Sequence, residues 1–169
     1  MKTHRRTKLR RPGAVMALTV LAALAAAPAR AAGAASCAVS ATPLAFGRYM
    51  PASASPDDLN ATIAVTCTAS GSTPVPIRGT IALTVAAGPS GRRLNGGRSA
   101  LRYELYLDPG RTVPWGNGTG GTGTIPVSGV ASPTAPFRQA FTVYGRILAR
   151  QSGAHVGHYA DQITVFLNY

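Results

Sequence analysis

An all-β fold, an antiparallel β-sandwich, is what this sequence predicts, and three observations predict it. Short segments alternate residue types with a period of two, as where Ile63, Val65 and Cys67 interleave with Thr62, Ala64 and Thr66. Clusters rich in Gly and Pro separate these segments, as turns do. Nowhere do apolar residues recur at helical spacing over a capped stretch of useful length, so helix content is expected to be low. Around six or seven strands joined by turns give two packed antiparallel sheets.

Ahead of the strands lies a basic run, Lys2, Arg5, Arg6, Lys8, Arg10 and Arg11, followed by an apolar segment from Ala14 to Ala27 and then Ala29-Arg30-Ala31, a small-x-small cleavage pattern. The order predicts a secretory signal peptide over residues 1–31. Its apolar segment is too short to cross about 30 Å of hydrocarbon as a transmembrane helix. Removal leaves one domain, residues 32–169, with no integral membrane segment. The net charge of +12 belongs largely to the signal, since seven of seventeen basic residues precede Ala32. The remainder carries ten Arg, no Lys and five acids, a charge of +5. Those Arg are scattered, with one tight group at Arg92, Arg93 and Arg98, which argues against a nucleic-acid partner.

The first element, from Cys37 to Tyr49, is extended but punctuated by Pro43 and Gly47, so it belongs at a sheet edge or is broken. A loop from Met50 to Leu59 leads to a half-buried strand over Asn60–Thr68. The next strand starts at Arg78, with Ile81, Leu83 and Val85 on one face. A turn-rich loop, Gly88–Gly97, precedes a strand over Leu101–Asp108 whose polar face is wet. After a Gly-rich region come a short strand at Thr124–Val127 and a long one from Phe137 to Ala149. Gly157–Tyr169 closes the set: Ile163, Val165, Leu167 and Tyr169 share one face of an extended chain, and no later segment covers its flank.

Two cysteines, Cys37 and Cys67, headed for an oxidising compartment, predict one disulfide closing a loop of about thirty residues and contributing roughly 3–4 kcal/mol. The competing reading is a metal site, for which His155 and His158 are the remaining histidines.

Catalysis is poorly supplied, and no catalytic residue, cofactor or metal is assigned. Asp57-Asp58 reads as a solvated loop pair. His155-x-x-His158 lacks the helix and Glu of a zinc-protease motif, and Ser128-Gly129 lacks the flanks of a nucleophile elbow. Asn60-Ala-Thr and Asn117-Gly-Thr match the glycosylation sequon only at chance level. Asp161 reads as a structural acceptor of backbone N–H groups where a turn meets the last strand. Trp115 reads as a core anchor rather than an exposed ligand-contacting ring.

Taken in order, Cys37 with Phe46-Gly47-x-Tyr49, Cys67 on the next strand, Leu101-x-Tyr103-x-Leu105-Tyr106, Trp115-Gly116-x-Gly118-Thr119, Tyr144-Gly145-Arg146-Ile147 and Gly157-x-Tyr159-x-Asp161 resemble the spore coat protein U domain family. That family includes subunits of Csu-type, or archaic, chaperone-usher pili. The resemblance spans Cys37 to Tyr169 and implies an incomplete immunoglobulin-like sandwich lacking its final strand. It also implies partners: a periplasmic chaperone that lends a strand, an outer-membrane usher, and a sibling subunit whose N-terminal strand completes the fold in the fibre. The implied route is export to the periplasm and then to the cell surface, with a role in adhesion or biofilm formation. Ile163, Val165, Leu167 and Tyr169 are the expected wall of the acceptor groove.

One departure bears on position. Between the expected cleavage site and Cys37 lie only Ala32 to Ser36, about 17 Å at full extension, with no side chain larger than hydroxymethyl. Such a segment cannot fill a neighbour's pockets, so the chain is expected to accept a strand without donating one, as a subunit at the fibre tip does. The alternative function is a self-contained extracellular binding module for carbohydrate or a surface layer.

Overall fold

Period-two segments become strands where a neighbour takes up their backbone groups. The computed structural model describes residues 33–84 and 91–169. Over these the chain forms β1 (Ala35–Ala41), β2 (Asp57–Ala69), β3 (Val75–Leu83), β4 (Arg92–Asn95), β5 (Ala100–Tyr106), β6 (Ile125–Ala131), β7 (Phe137–Ile147) and β8 (Val165–Asn168). No described residue is helical, so no helix among them is long and apolar enough to cross a membrane. The expected signal peptide, and Val85, lie outside the described residues.

All pairings between these strands are antiparallel. One sheet has the order β1-β2-β7-β5-β4 and the other β6-β3-β8. The core forms between their inner faces. Ile63, Val65 and Cys67 from β2, Leu101, Tyr103 and Leu105 from β5, and Val143 and Ile147 from β7 meet Ile77, Ile81 and Leu83 from β3 and Ile125 and Val127 from β6. Each such side chain contributes roughly 1.5–3 kcal/mol on leaving water. Trp115 is 1% exposed, and its Nε1 donates to the Ile81 carbonyl at 3.4 Å, so the ring is a core anchor.

The disulfide joins Cys37 to Cys67, which stand directly opposite on β1 and β2. With both sulfurs bonded, the two-cysteine metal reading falls. β1 is an edge strand, as Pro43 suggested, and the chain leaves regular structure after Ala41.

Several boundaries differ from the sequence reading, each for a local reason. β3 begins at Val75 rather than Arg78 and contains Pro76. On β3 the even-numbered residues bond toward β8, which reaches only as far as Thr80, so the missing Pro76 N–H faces no partner strand. β4 lies inside what reads as a turn-rich loop; Leu94, opposite Leu101, is its one apolar contribution. β6 runs to Ala131 rather than Val127, and a Cβ at Gly129 would collide with the Phe137 ring. β8 is four residues long, because Gly157 to Thr164 serves as a connection whose Ala160 bridges to Asn95 at the end of β4.

Asp57-Asp58 is not a loop pair. β2 starts at Asp57, and Asp58 sits opposite Arg146 on the outer sheet face. Arg146 Nε and Nη2 donate to the two Asp58 carboxylate oxygens at 2.7 and 2.8 Å, and Arg111 Nε lies 3.3 Å from Oδ1. The hydrogen bonds from Arg146 hold the Asp58 carboxyl below the usual range. A depressed carboxyl pKa stabilises the fold above the unfolded pKa, and this is lost as pH falls through the folded value. The pair is about one-third exposed, which limits its worth. Asp58→Asn is therefore expected to cost at most about 1 kcal/mol in urea denaturation near neutrality. That difference should shrink as pH falls below about 4; a difference that grew in acid would contradict the pairing.

Candidate functional site

The ladders show where backbone groups are left over. Thr42 N–H donates to Thr62 O at one end of the β1–β2 register, and Ser70 N–H to Ala34 O at the other. Even-numbered residues of β1 therefore form the hydrogen-bonded pairs, and the N–H and C=O of Ala35, Cys37, Val39 and Ala41 point away from β2. On β8 the same logic applies. Thr84 N–H donates to Thr164 O, so Phe166 and Asn168 bond to β3, and the backbone groups of Val165 and Leu167 point away from it.

β1 and β8 are each at the edge of their sheet, and they approach one another. Where β1 ends and β8 begins is an apolar cleft of about 310 Å³, which these strands line with Ala41 and Val165; Ala61 and Ile63 of β2, Tyr103 of β5 and Val143 of β7 form its floor, and Ile163 and Val165 its lip. The lip is unfinished. Ile163, Val165 and Leu167 pack against the core but remain partly exposed, whereas Ile81 and Leu83 on neighbouring β3 are fully buried. Tyr169 is 59% exposed, and its hydroxyl accepts the Cys37 N–H at 3.1 Å.

A second cleft, of about 480 Å³, continues from the first between residues 44–51 and 154–159. Leu44 and Phe46 line both. Phe46 meets Tyr103 edge-on, with centroids 6.5 Å apart, and a Cβ on Gly145 would stand 2.8 Å from Phe46 Cζ and 3.2 Å from both Leu44 methyls. Gly145 therefore lets these side chains lie on the sheet. Leu44 was not singled out from sequence, although its spacing of two from Phe46 marks both for the same face of an extended chain.

The sequence matches the Spore Coat Protein U domain over residues 22–166. The chain belongs to the Spore Coat Protein U domain family. No curated protein matches it at a significant level. In fold it is similar to a chain in the crystal structure of the CsuC–CsuE chaperone–tip adhesion subunit pre-assembly complex from archaic chaperone-usher Csu pili of Acinetobacter baumannii. Identity is 17% and the TM-score 0.50, with 80% of this chain and 40% of that chain covered. The chain thus spans less than half of that solved chain.

The markers of this Spore Coat Protein U domain separate into three places. Trp115 and Gly116 stand at the end of β3, where Gly116 O accepts the Leu83 N–H at 3.0 Å. Tyr106 and Tyr144 face each other on the outer surface of the five-stranded sheet, away from the clefts, with the Arg111 guanidinium 5.7 Å above the Tyr144 ring. The others tie down the loops around the clefts. Gly47 takes a φ of 78°, a turn that a side chain would strain. Tyr49 donates to Leu148 O at 2.7 Å. Gly157 lies against Gly96, and Tyr159 donates to His155 O at 2.7 Å while sharing a short hydrogen bond with Ser99. His155 and His158 border the second cleft, and no group of three or more His, Cys, Asp or Glu suited to a metal occurs among the described residues.

Asp161 links the cleft floor to its lip. Tyr103, only 3% exposed, donates to Asp161 Oδ2 at 2.7 Å, and Asp161 Oδ1 accepts the Gln162 N–H at 2.9 Å. Burial, reinforced by the Asp161 carboxylate, pushes the Tyr103 hydroxyl pKa far up, so it stays a donor. Tyr103→Phe and Asp161→Ala are each expected to cost about 1–2 kcal/mol in chemical denaturation. The double variant should cost little more than either alone; additive losses would show that the two residues act separately.

Proposed function

We propose that this Spore Coat Protein U domain is a subunit of an archaic chaperone-usher pilus that accepts a strand from a sibling subunit in the slot between β1 and β8. The observation that carries this reading is the pair of outward backbone rows, Ala35 to Ala41 on β1 and Val165 and Leu167 on β8, which meet an apolar cleft at Ala41 and Val165. An extended segment meets both needs. Its backbone pairs with the open edge while alternate side chains enter the cleft. Ile163, Val165 and Leu167 are the groove wall in this reading, and Tyr169 stands at the slot's end.

During export the occupant is a strand lent by a periplasmic chaperone, with delivery to an outer-membrane usher and then to the cell surface. The similar complex, a chaperone with a tip adhesion subunit, supports this choice of partners. We assign the subunit to the receiving end of the fibre, its tip, with a role in adhesion or biofilm formation. Support comes from β1 itself: Ala34 O is already bonded to Ser70, and a Cβ on Gly33 would meet Val75 at 2.9 Å, so this stretch is engaged in its own domain. Stable capture of the chain's N-terminal segment by a sibling subunit would refute the tip position.

The main test is to fuse, through a flexible linker, a strand of alternating Val and Thr to the C-terminal side of β8. Filling the cleft with two or three apolar side chains is expected to stabilise by on the order of 3 kcal/mol, and to raise Tm by about 10 °C. Without a strand or chaperone the domain is expected to be less stable and prone to aggregate. A soluble monomer whose Tm ignores the added strand would favour a self-contained binding module instead.

A further inference from the structure

We propose that Tyr169 gates the slot: its hydroxyl holds the Cys37 amide that an arriving strand must take, and the strand enters by displacing the ring. This gate rests on the strand-accepting reading and names a residue that controls access to it.

Cys37 belongs to the outward row of β1, and its N–H is the one amide of that row with a hydrogen-bond partner among the described residues. The partner comes from across the slot, from the residue that follows β8. A phenol oxygen at 3.1 Å from that nitrogen stands where the carbonyl of a strand paired with β1 would stand. The ring that carries it spans from the end of β8 to β1, so a strand running past Cys37 and the ring cannot share the space.

The two sides of this contact differ in mobility. Cys37 is fixed by the β2 ladder and by its disulfide to Cys67. The backbone around Asn168 and Tyr169 lies directly on β3, because Gly79 has no side chain there: a Cβ would collide with the Asn168 carbonyl and stand 3.0 Å from the Tyr169 Cβ. The Tyr169 side chain is the part that yields first, after which β1 and β8 part to the roughly 9.6 Å that a strand between them needs. At 59% exposure it is held by little packing, and its hydroxyl bond is a contact that rotation about the side-chain torsions breaks. Val165 and Leu167, by contrast, have no side-chain hydrogen-bond partner at their outward amides among the described residues, so the barrier sits at one end of the slot.

The test follows uptake of a fluorescent peptide that alternates Val and Thr between flanking Lys residues, by anisotropy, in the wild-type chain, Tyr169→Phe and Tyr169→Ala. Tyr169→Phe keeps the ring and removes the acceptor, and it carries the test if Tyr169→Ala fails to fold. The gate predicts uptake about two- to tenfold faster in Tyr169→Phe, the range expected for losing one hydrogen bond, and at least as fast in Tyr169→Ala. It also predicts faster hydrogen exchange at the Cys37 amide of Tyr169→Phe before peptide is added. Equal uptake rates, or slower uptake by Tyr169→Phe, overturn the gate and leave strand acceptance standing. Uptake by none of the three overturns both.

Discussion

A β-strand with one neighbour pairs only every other residue's backbone groups, and the remaining row must find water, side chains or another strand. β2, β7, β5 and β3 have neighbours on both sides, and most of the deeply buried core residues lie on them, with Val127 and Ala131 of β6 and Trp115 beside them. β1 and β8 each have one neighbour, and their leftover rows border a common slot. On the β3–β8 side burial follows the same division. Ile81 and Leu83 are closed over, while Val165 and Leu167 one strand away are not.

Around that opening, side chains do the work that a further strand would do in a finished sheet. Leu44 and Phe46 fold back over Gly145 to fill part of the interior, and the Tyr103–Asp161 bond holds the connection before β8 against the floor. The disulfide fixes β1 as the far wall. Each feature acts on the slot's borders and leaves its middle unfilled.

Much of this was legible in the sequence because alternation needs only a face to bury. Ile63, Val65 and Cys67, or Leu101, Tyr103 and Leu105, declare their strands without help, and the Cys37–Cys67 pair follows from compartment and count. Val165 and Leu167 were equally plain as one face of the last strand, whereas Ile163 lies before it and Tyr169 is exposed. What escaped was set by neighbours. β4 has a single inward Leu, too few for a pattern. Asp58 reads as loop until Arg146 is seen opposite it. Pro76 shortens the expected β3 unless one knows that β8 stops short of it. The family markers Tyr106 and Tyr144 carry no sign in sequence of facing outward, away from the clefts. Tyr169 was expected beside Val165 and Leu167 in the groove wall, and only the coordinates place its hydroxyl on Cys37.

Amide hydrogen exchange, read residue by residue by NMR, tests the open slot most directly. In the isolated domain the amides of Val165, Leu167 and Val39 should exchange quickly while that of Phe166, bonded to β3, is protected, and an added alternating peptide should slow all three. Slow exchange at Val165 and Leu167 before any strand is supplied would mean that the chain closes its own edge, and would contradict the account.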